Sequence, residues 1–209
     1  MSQTDLSREL YQSLWNAADI LRGQMEANEY KSYLLGLIFY KYLSDNILQA
    51  VCDNLDETFE SFQQAQLLYE ENFADADVRE DLIEVLNDEL GYVIEPSLTF
   101  TKLVQSIHEG TFQLESLAQS FRDIEQANEK FENLFEDIDL YAKKLGNTPQ
   151  KQNKTISEVM KQLNDLNVSG HAGDILGDAY EYLIGQFASD SGKKAGEFYT
   201  PQAVSHLMT

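Results

Sequence analysis

Apolar residues recur three and four positions apart along most of the chain, which predicts one helix after another. Leu6, Leu10, Leu14, Ala17, Ala18 and Leu21 form one stripe with Trp15 beside it. They predict a first helix capped by Thr4 or Asp5 and running to about Arg22, where Gly23 loosens or ends it. Asn28 reads as the cap of a longer second helix in which Tyr30, Tyr33, Leu34, Leu37, Ile38, Tyr42, Ile47, Leu48 and Val51 wrap much of the circumference. That pattern is too broad for a surface helix and places it in the middle of a bundle, with Lys31, Lys41 and Asp45 on its wettest side. Residues 55–73 and 75–90 read as two more helices, the latter starting at Asp75 or Asp77 and stopped by Gly91. Residues 92–96 read as extended, because the residue before Pro96 avoids the helical region, and leave room for a short strand. Helical periodicity resumes over 100–108 and, after Gly110 and Thr111, through Phe112, Leu114, Leu117, Phe121 and Ile124.

Residues 147–154 are polar, contain Pro149 and read as a loop or hinge. Ile156, Val159, Met160, Leu163 and Leu166 then define another amphipathic helix. A domain boundary is expected over 167–173, followed by a helix capped by Asp174 that runs from Ile175 to about Phe187. Residues 189–196 form a Ser/Gly/Lys stretch expected to be mobile. Thr200 and Pro201 then suit a helix start, with Val204, Leu207 and Met208 on one apolar face.

At 209 residues, 43% hydrophobic and with 11 each of Tyr and Phe, the chain can bury a core and suits one large domain or one domain plus part of another. No apolar run approaches bilayer length and the N-terminus lacks signal-peptide character, so a cytoplasmic protein is expected. The lone Cys52 fits a reducing compartment. A net charge of -21, from 36 acids and 15 bases, argues against broad nonspecific DNA binding. Residues 51–100 hold fourteen of the acids and only Arg79 against them, which reads as a solvated outer face.

Tyr30, Tyr33, Phe39, Tyr40 and Tyr42 are close enough to imitate a base-stacking surface, but their helical spacing and few interleaved cations favour core packing. The carboxylates of 131–140 lack calcium-loop spacing, and His108, His171 and His206 are far apart, so no metal site is expected. Phe198 and Tyr199 stand just before a helix N-terminus, where free amides and the helix dipole can seat an anionic group of a small molecule; the same arrangement also serves as a hydrophobic staple. Lys193 and Lys194 are the local candidates for a phosphate contact, against a simply solvated loop.

Three stretches carry a resemblance. Gly-Asp-Ile-Leu-Gly-Asp-Ala-Tyr-Glu-Tyr-Leu-Ile-Gly-Gln-Phe-Ala from Gly173, followed by Gly-Glu-Phe-Tyr-Thr-Pro from Gly196, is similar to the entry of the methyltransferase domain in modification subunits of type I restriction-modification systems. Residues 14–23 with Glu29-Tyr30-Lys31 and Leu43-Ser44-Asp45, and separately residues 131–146, resemble the helical N-terminal domain of the same subunits. The resemblance implies a mainly α chain: an N-terminal helical bundle over 1–166, then over 167–209 the opening helices of an α/β, Rossmann-like methyltransferase domain that is incomplete here. It implies S-adenosylmethionine as cofactor, held in part by Glu197, Phe198, Tyr199, Thr200, Pro201 and Gln202. It further implies methyl transfer to the exocyclic amine of adenine in double-stranded DNA. The implied partners are a specificity subunit, a second modification subunit and a restriction subunit. The helical domain would serve assembly and closure around DNA. The family's glycine-rich turn and its Asn/Asp-Pro-Pro-aromatic tetrapeptide are not in this sequence, whose prolines are Pro96, Pro149 and Pro201, so residues 1–209 alone are expected to be inactive. The rival reading is a non-catalytic helical interaction or regulatory module.

Overall fold

Helix α1 (Gln3–Arg22) buries Leu14, Ala17, Ala18 and Leu21 against its neighbours, as its stripe requires. The computed structural model describes residues 3–166 and, beyond them, Gly177 alone. The described part is helical and contains no strand.

Helix α2 (Ala27–Asn54) is the central element, with α1, α3 (Phe62–Ala74), α4 (Ala76–Leu90) and α5 (Phe100–Glu109) all packed on it. Its length follows from a nearly continuous buried surface: Leu34, Leu37, Ile38, Tyr40, Ile47, Leu48 and Val51 are fully enclosed. Tyr30 and Tyr33 are buried too, and Phe39 and Tyr42 are half-buried against the core, so these aromatics pack rather than present a stacking face. The helix starts two residues earlier than expected. Glu26, not Asn28, is the cap, and the Glu29 carboxylate accepts from the Glu26 amide at 3.1 Å, a capping box built from two glutamates.

Two further expectations are corrected on this face of the bundle. Lys41 and Asp45 are not on a wet side: they pair with each other at 2.8 Å and are 2% and 0% exposed. Helices α3 and α5 cover them, with Phe62 and Phe100 placing their rings 4.9 and 5.2 Å from the Lys41 ammonium. Residues 55–61 are not helical either. Asp56 adopts a left-handed φ of 54°, which an aspartate tolerates, and α3 begins afresh at Ser61, whose hydroxyl accepts from the Gln64 amide at 3.2 Å.

Asp75 caps α4 by accepting from the Asp77 amide at 3.0 Å, and Gly91 ends it at φ 80°, both as the sequence indicates. Residues 92–98 are extended and then turn through a short 3-10 segment (Pro96–Leu98), without forming a strand. Side chains take the place of a neighbouring strand. The carbonyls of Ile94, Pro96 and Leu98 accept from Tyr69, Gln66 and Tyr40 respectively, the first two at 2.9 and 2.8 Å. Burial pushes the Tyr40 and Tyr69 hydroxyls above their ordinary pKa, so both remain donors.

Thr99 caps α5 through the Lys102 amide at 3.1 Å, and the Ser44 hydroxyl accepts from the Phe100 amide at 2.7 Å, tying α5 to α2. Helix α6 (Leu114–Ala127) buries Leu114, Leu117, Phe121 and Ile124. Residues 132–147 are a chain of turns, and α7 (Pro149–Asn164) returns along α1. Here too the expectation is corrected: 147–154 is no hinge. Thr148 caps α7 and Pro149 occupies its first turn, so the polar stretch is the start of a helix, with Gln152 turned inward.

Candidate functional site

The residues assigned to cofactor by sequence, Glu197, Phe198, Tyr199, Thr200, Pro201 and Gln202, and the phosphate candidates Lys193 and Lys194, lie outside the described residues. What the described residues do bring together is a basic cleft that the sequence reading left unremarked. From Leu140 to Ser157 the chain carries four lysines and no carboxylate, a local reversal in a chain of net charge -21.

The fold turns that stretch back on itself. Gln152, buried on α7, reaches the carbonyls of Tyr141, Ala142 and Gly146 with its side-chain amide at 2.9, 3.3 and 3.1 Å. Thr155 donates to the carbonyl of Leu145 at 2.8 Å. Gly146 makes the close approach possible, since a Cβ there would stand 2.4 Å from the Lys151 Cβ and 2.9 Å from the Gln152 nitrogen. The turn bearing Lys143 and Lys144 is thereby fixed against the first turns of α7, which carry Lys151 and Lys154.

These four lysines, with Gln24, Gly146, Asn147, Thr155 and the single carboxylate Glu158, line a cleft of about 500 Å³. A second depression of about 620 Å³ adjoins it, shares Gln24 and Lys144, and extends past Glu26 and Glu29 to Arg22. Lys144 bonds Glu29, and that contact, with the Glu26 amide, holds the Glu29 carboxyl below its ordinary pKa. Lys154 lies 3.7 Å from Glu158 on the surface. Lys143 and Lys151 pair with no carboxylate among the described residues. An open channel with this donor set can hold anions by accumulated charge.

Comparison with known proteins places the chain. The HsdM N-terminal domain matches residues 10–163. The chain belongs to the HsdM family, the methyltransferase subunits of type I restriction-modification systems. The N-6 DNA methylase family matches this HsdM chain over residues 171–209. The Type I restriction enzyme MpnII methylase subunit of Mycoplasma pneumoniae is 30% identical over 220 residues, covering 99% of this chain and 40% of that protein. The MjaIX methylase subunit of Methanocaldococcus jannaschii is 27% identical, covering 98% of this chain and 35% of that protein. The crystal structure of the type I restriction-modification system methyltransferase subunit from Streptococcus thermophilus is 63% identical with a TM-score of 0.88, over 97% of this chain and 43% of that one. The chain therefore spans less than half the length of these relatives.

Proposed function

We propose that this chain works as part of a modification subunit that transfers a methyl group from S-adenosylmethionine to the exocyclic amine of adenine in double-stranded DNA. The observation that carries the reading is the succession of two family matches in one chain, HsdM N-terminal domain and then N-6 DNA methylase. Residues 1–166 form the helical domain in this reading, and 167–209 open the methyltransferase domain. The helical domain serves assembly with the specificity subunit, a second modification subunit and the restriction subunit, and helps close the complex around DNA. A cytoplasmic setting accords with it; no helix among the described residues is long and apolar enough to cross a membrane.

S-adenosylmethionine supplies the methyl group when bound. Glu197, Phe198, Tyr199, Thr200, Pro201 and Gln202 are assigned to it on sequence resemblance, supported by the methylase match that includes them. One loop of a pocket rarely offsets the entropy of fixing a ligand, so the assignment calls for the complete domain. Titration calorimetry of S-adenosylmethionine tests it on residues 1–209, on a protein extended through the whole methyltransferase domain, and on that protein with Phe198→Ala and Tyr199→Ala. Binding by the extended protein and its loss in the double variant is the expected result. An extended protein that does not bind would favour the non-catalytic interaction module instead.

A further inference from the structure

Charge is distributed along α2 in a way that gives the basic cleft a partner. Helix α2 is 28 residues long, which at 1.5 Å per residue is about 42 Å. At its N-terminal end Glu29 meets Lys144 and the cleft. At its C-terminal end Asp53, Asp56 and Glu57 are exposed, and Asn54 donates to Glu89 of the acidic helix α4 at 3.0 Å. Two poles of opposite sign thus sit several Debye lengths apart, each length being about 8 Å at physiological ionic strength. The pole of Asp53, Asp56 and Glu57 is screened from the cleft, whose own carboxylates are Glu158 and, in the adjoining depression, Glu26 and Glu29, and a polyanion can approach one end while the other faces away.

The shape of the cationic end selects among anions. Lys143, Lys144, Lys151 and Lys154 are all exposed, so none is the buried donor that a discrete phosphate pocket would require. The two depressions join through Gln24 and Lys144; the second balances Glu26 and Glu29 against Lys144 and Arg22, itself paired with Asp19 at 3.2 Å, so the cationic excess lies along the open first cleft, a track rather than a closed pocket. The surface pairs of Lys144 with Glu29 and Lys154 with Glu158 are weak and exchangeable. A track of solvated lysines binds through many small contacts and counterion release, and so favours a linear polymer of regularly spaced charge.

We propose that this track holds the sugar-phosphate backbone of double-stranded DNA, positioning the duplex without reading its sequence. This rests on the methyltransferase reading, and it assigns to Lys143, Lys151 and Lys154 a role in the helical domain separate from the cofactor loop.

The test uses the complete modification subunit assembled with its specificity subunit. Binding to a duplex with the methylation site and to one without it is measured by fluorescence anisotropy from 50 to about 200 mM salt, the range over which phosphate contacts are read. The variant Lys143→Gln, Lys151→Gln, Lys154→Gln is expected to bind both duplexes about tenfold or more weakly, with the slope of log affinity on log salt shallower by about 2 to 3. Its melting temperature and S-adenosylmethionine affinity should match the parent, and replacing the same lysines by arginine should preserve DNA binding. Parent-like affinity and slope in an assembly that methylates DNA would overturn the cleft assignment alone. The same holds if the glutamine variant changes only self-association in sedimentation, which would point to the acidic pole of a second copy. A parent assembly that neither binds nor methylates duplex would remove the functional reading, and this inference with it.

Discussion

The Lys41 ammonium and the Asp45 carboxylate meet at 2.8 Å inside the bundle, where α3 and α5 are seated on α2. Phe62 and Phe100 face the ammonium, and one oxygen of Asp45 has no hydrogen-bond partner among the described residues. The pair therefore compensates two buried charges without fully satisfying the carboxylate. Removing one partner exposes that balance. Lys41→Met should lower unfolding free energy by about 3–5 kcal/mol, whereas Lys41→Met with Asp45→Leu should recover most of the loss, because the hydrophobic pair leaves no buried charge behind. Urea denaturation at neutral pH checks both, and a single variant as stable as the parent would refute the account.

Acidification reads the same pair from the proton's side. Burial pushes the Asp45 carboxyl from 3.8 up to about 6, with Lys41 pulling in the opposite direction. A group whose folded pKa lies above its unfolded one binds protons more tightly when folded, so its contribution to stability is complete below about 4 and is lost as pH rises through about 6. Relative to Asp45→Asn, which cannot titrate, the parent should gain stability as pH falls from 7 to 4. A gap that stays constant in pH-dependent denaturation would show that Asp45 titrates normally.

Several elements were legible in the sequence because one residue type decides them locally. Asp75 had an orphan amide to cap and Gly91 a left-handed position to fill, and α5 and α6 carried single apolar stripes. The burial of Lys41 and Asp45 is hidden from the sequence for a different reason. Spacing of four places two polar residues on one helix face, but it does not say whether that face meets water or a third helix. Glutamate ranks below asparagine as a cap, which hides the Glu26–Glu29 box, and Pro149 reads as loop chemistry although Thr148 before it caps α7. The lysine cleft depends on Gln152 folding residues 141–146 back onto α7, a contact that only tertiary structure supplies. A stretch of four lysines without a carboxylate was its one visible trace.

Gln152→Ala should loosen that turn. It strands the carbonyls of Tyr141 and Gly146, while Ala142 keeps the Leu145 amide, and should cost about 1–3 kcal/mol in denaturant unfolding. Gly146→Ala acts on the same contact sterically, since the added methyl meets backbone atoms of α7 that cannot move aside as a side chain end can. Hydrogen exchange should rise over residues 141–151 in both variants and stay parental along α3 and α4. Uniform exchange across the domain would mean that the turn does not open independently.

Residues 1–209 by themselves should transfer no methyl group to DNA. Methylation of adenine requires the base to leave the stack and its amine to be held in line with the donor methyl group, which the family does with an Asn/Asp-Pro-Pro-aromatic tetrapeptide. Pro96, Pro149 and Pro201 are each isolated, so no such tetrapeptide can be read from these residues. Incubating residues 1–209 with duplex DNA and labelled S-adenosylmethionine should therefore give background incorporation, while the complete subunit with its specificity partner incorporates label. Label transferred by residues 1–209 alone would place catalytic groups within this chain and contradict the division between helical platform and methyltransferase site.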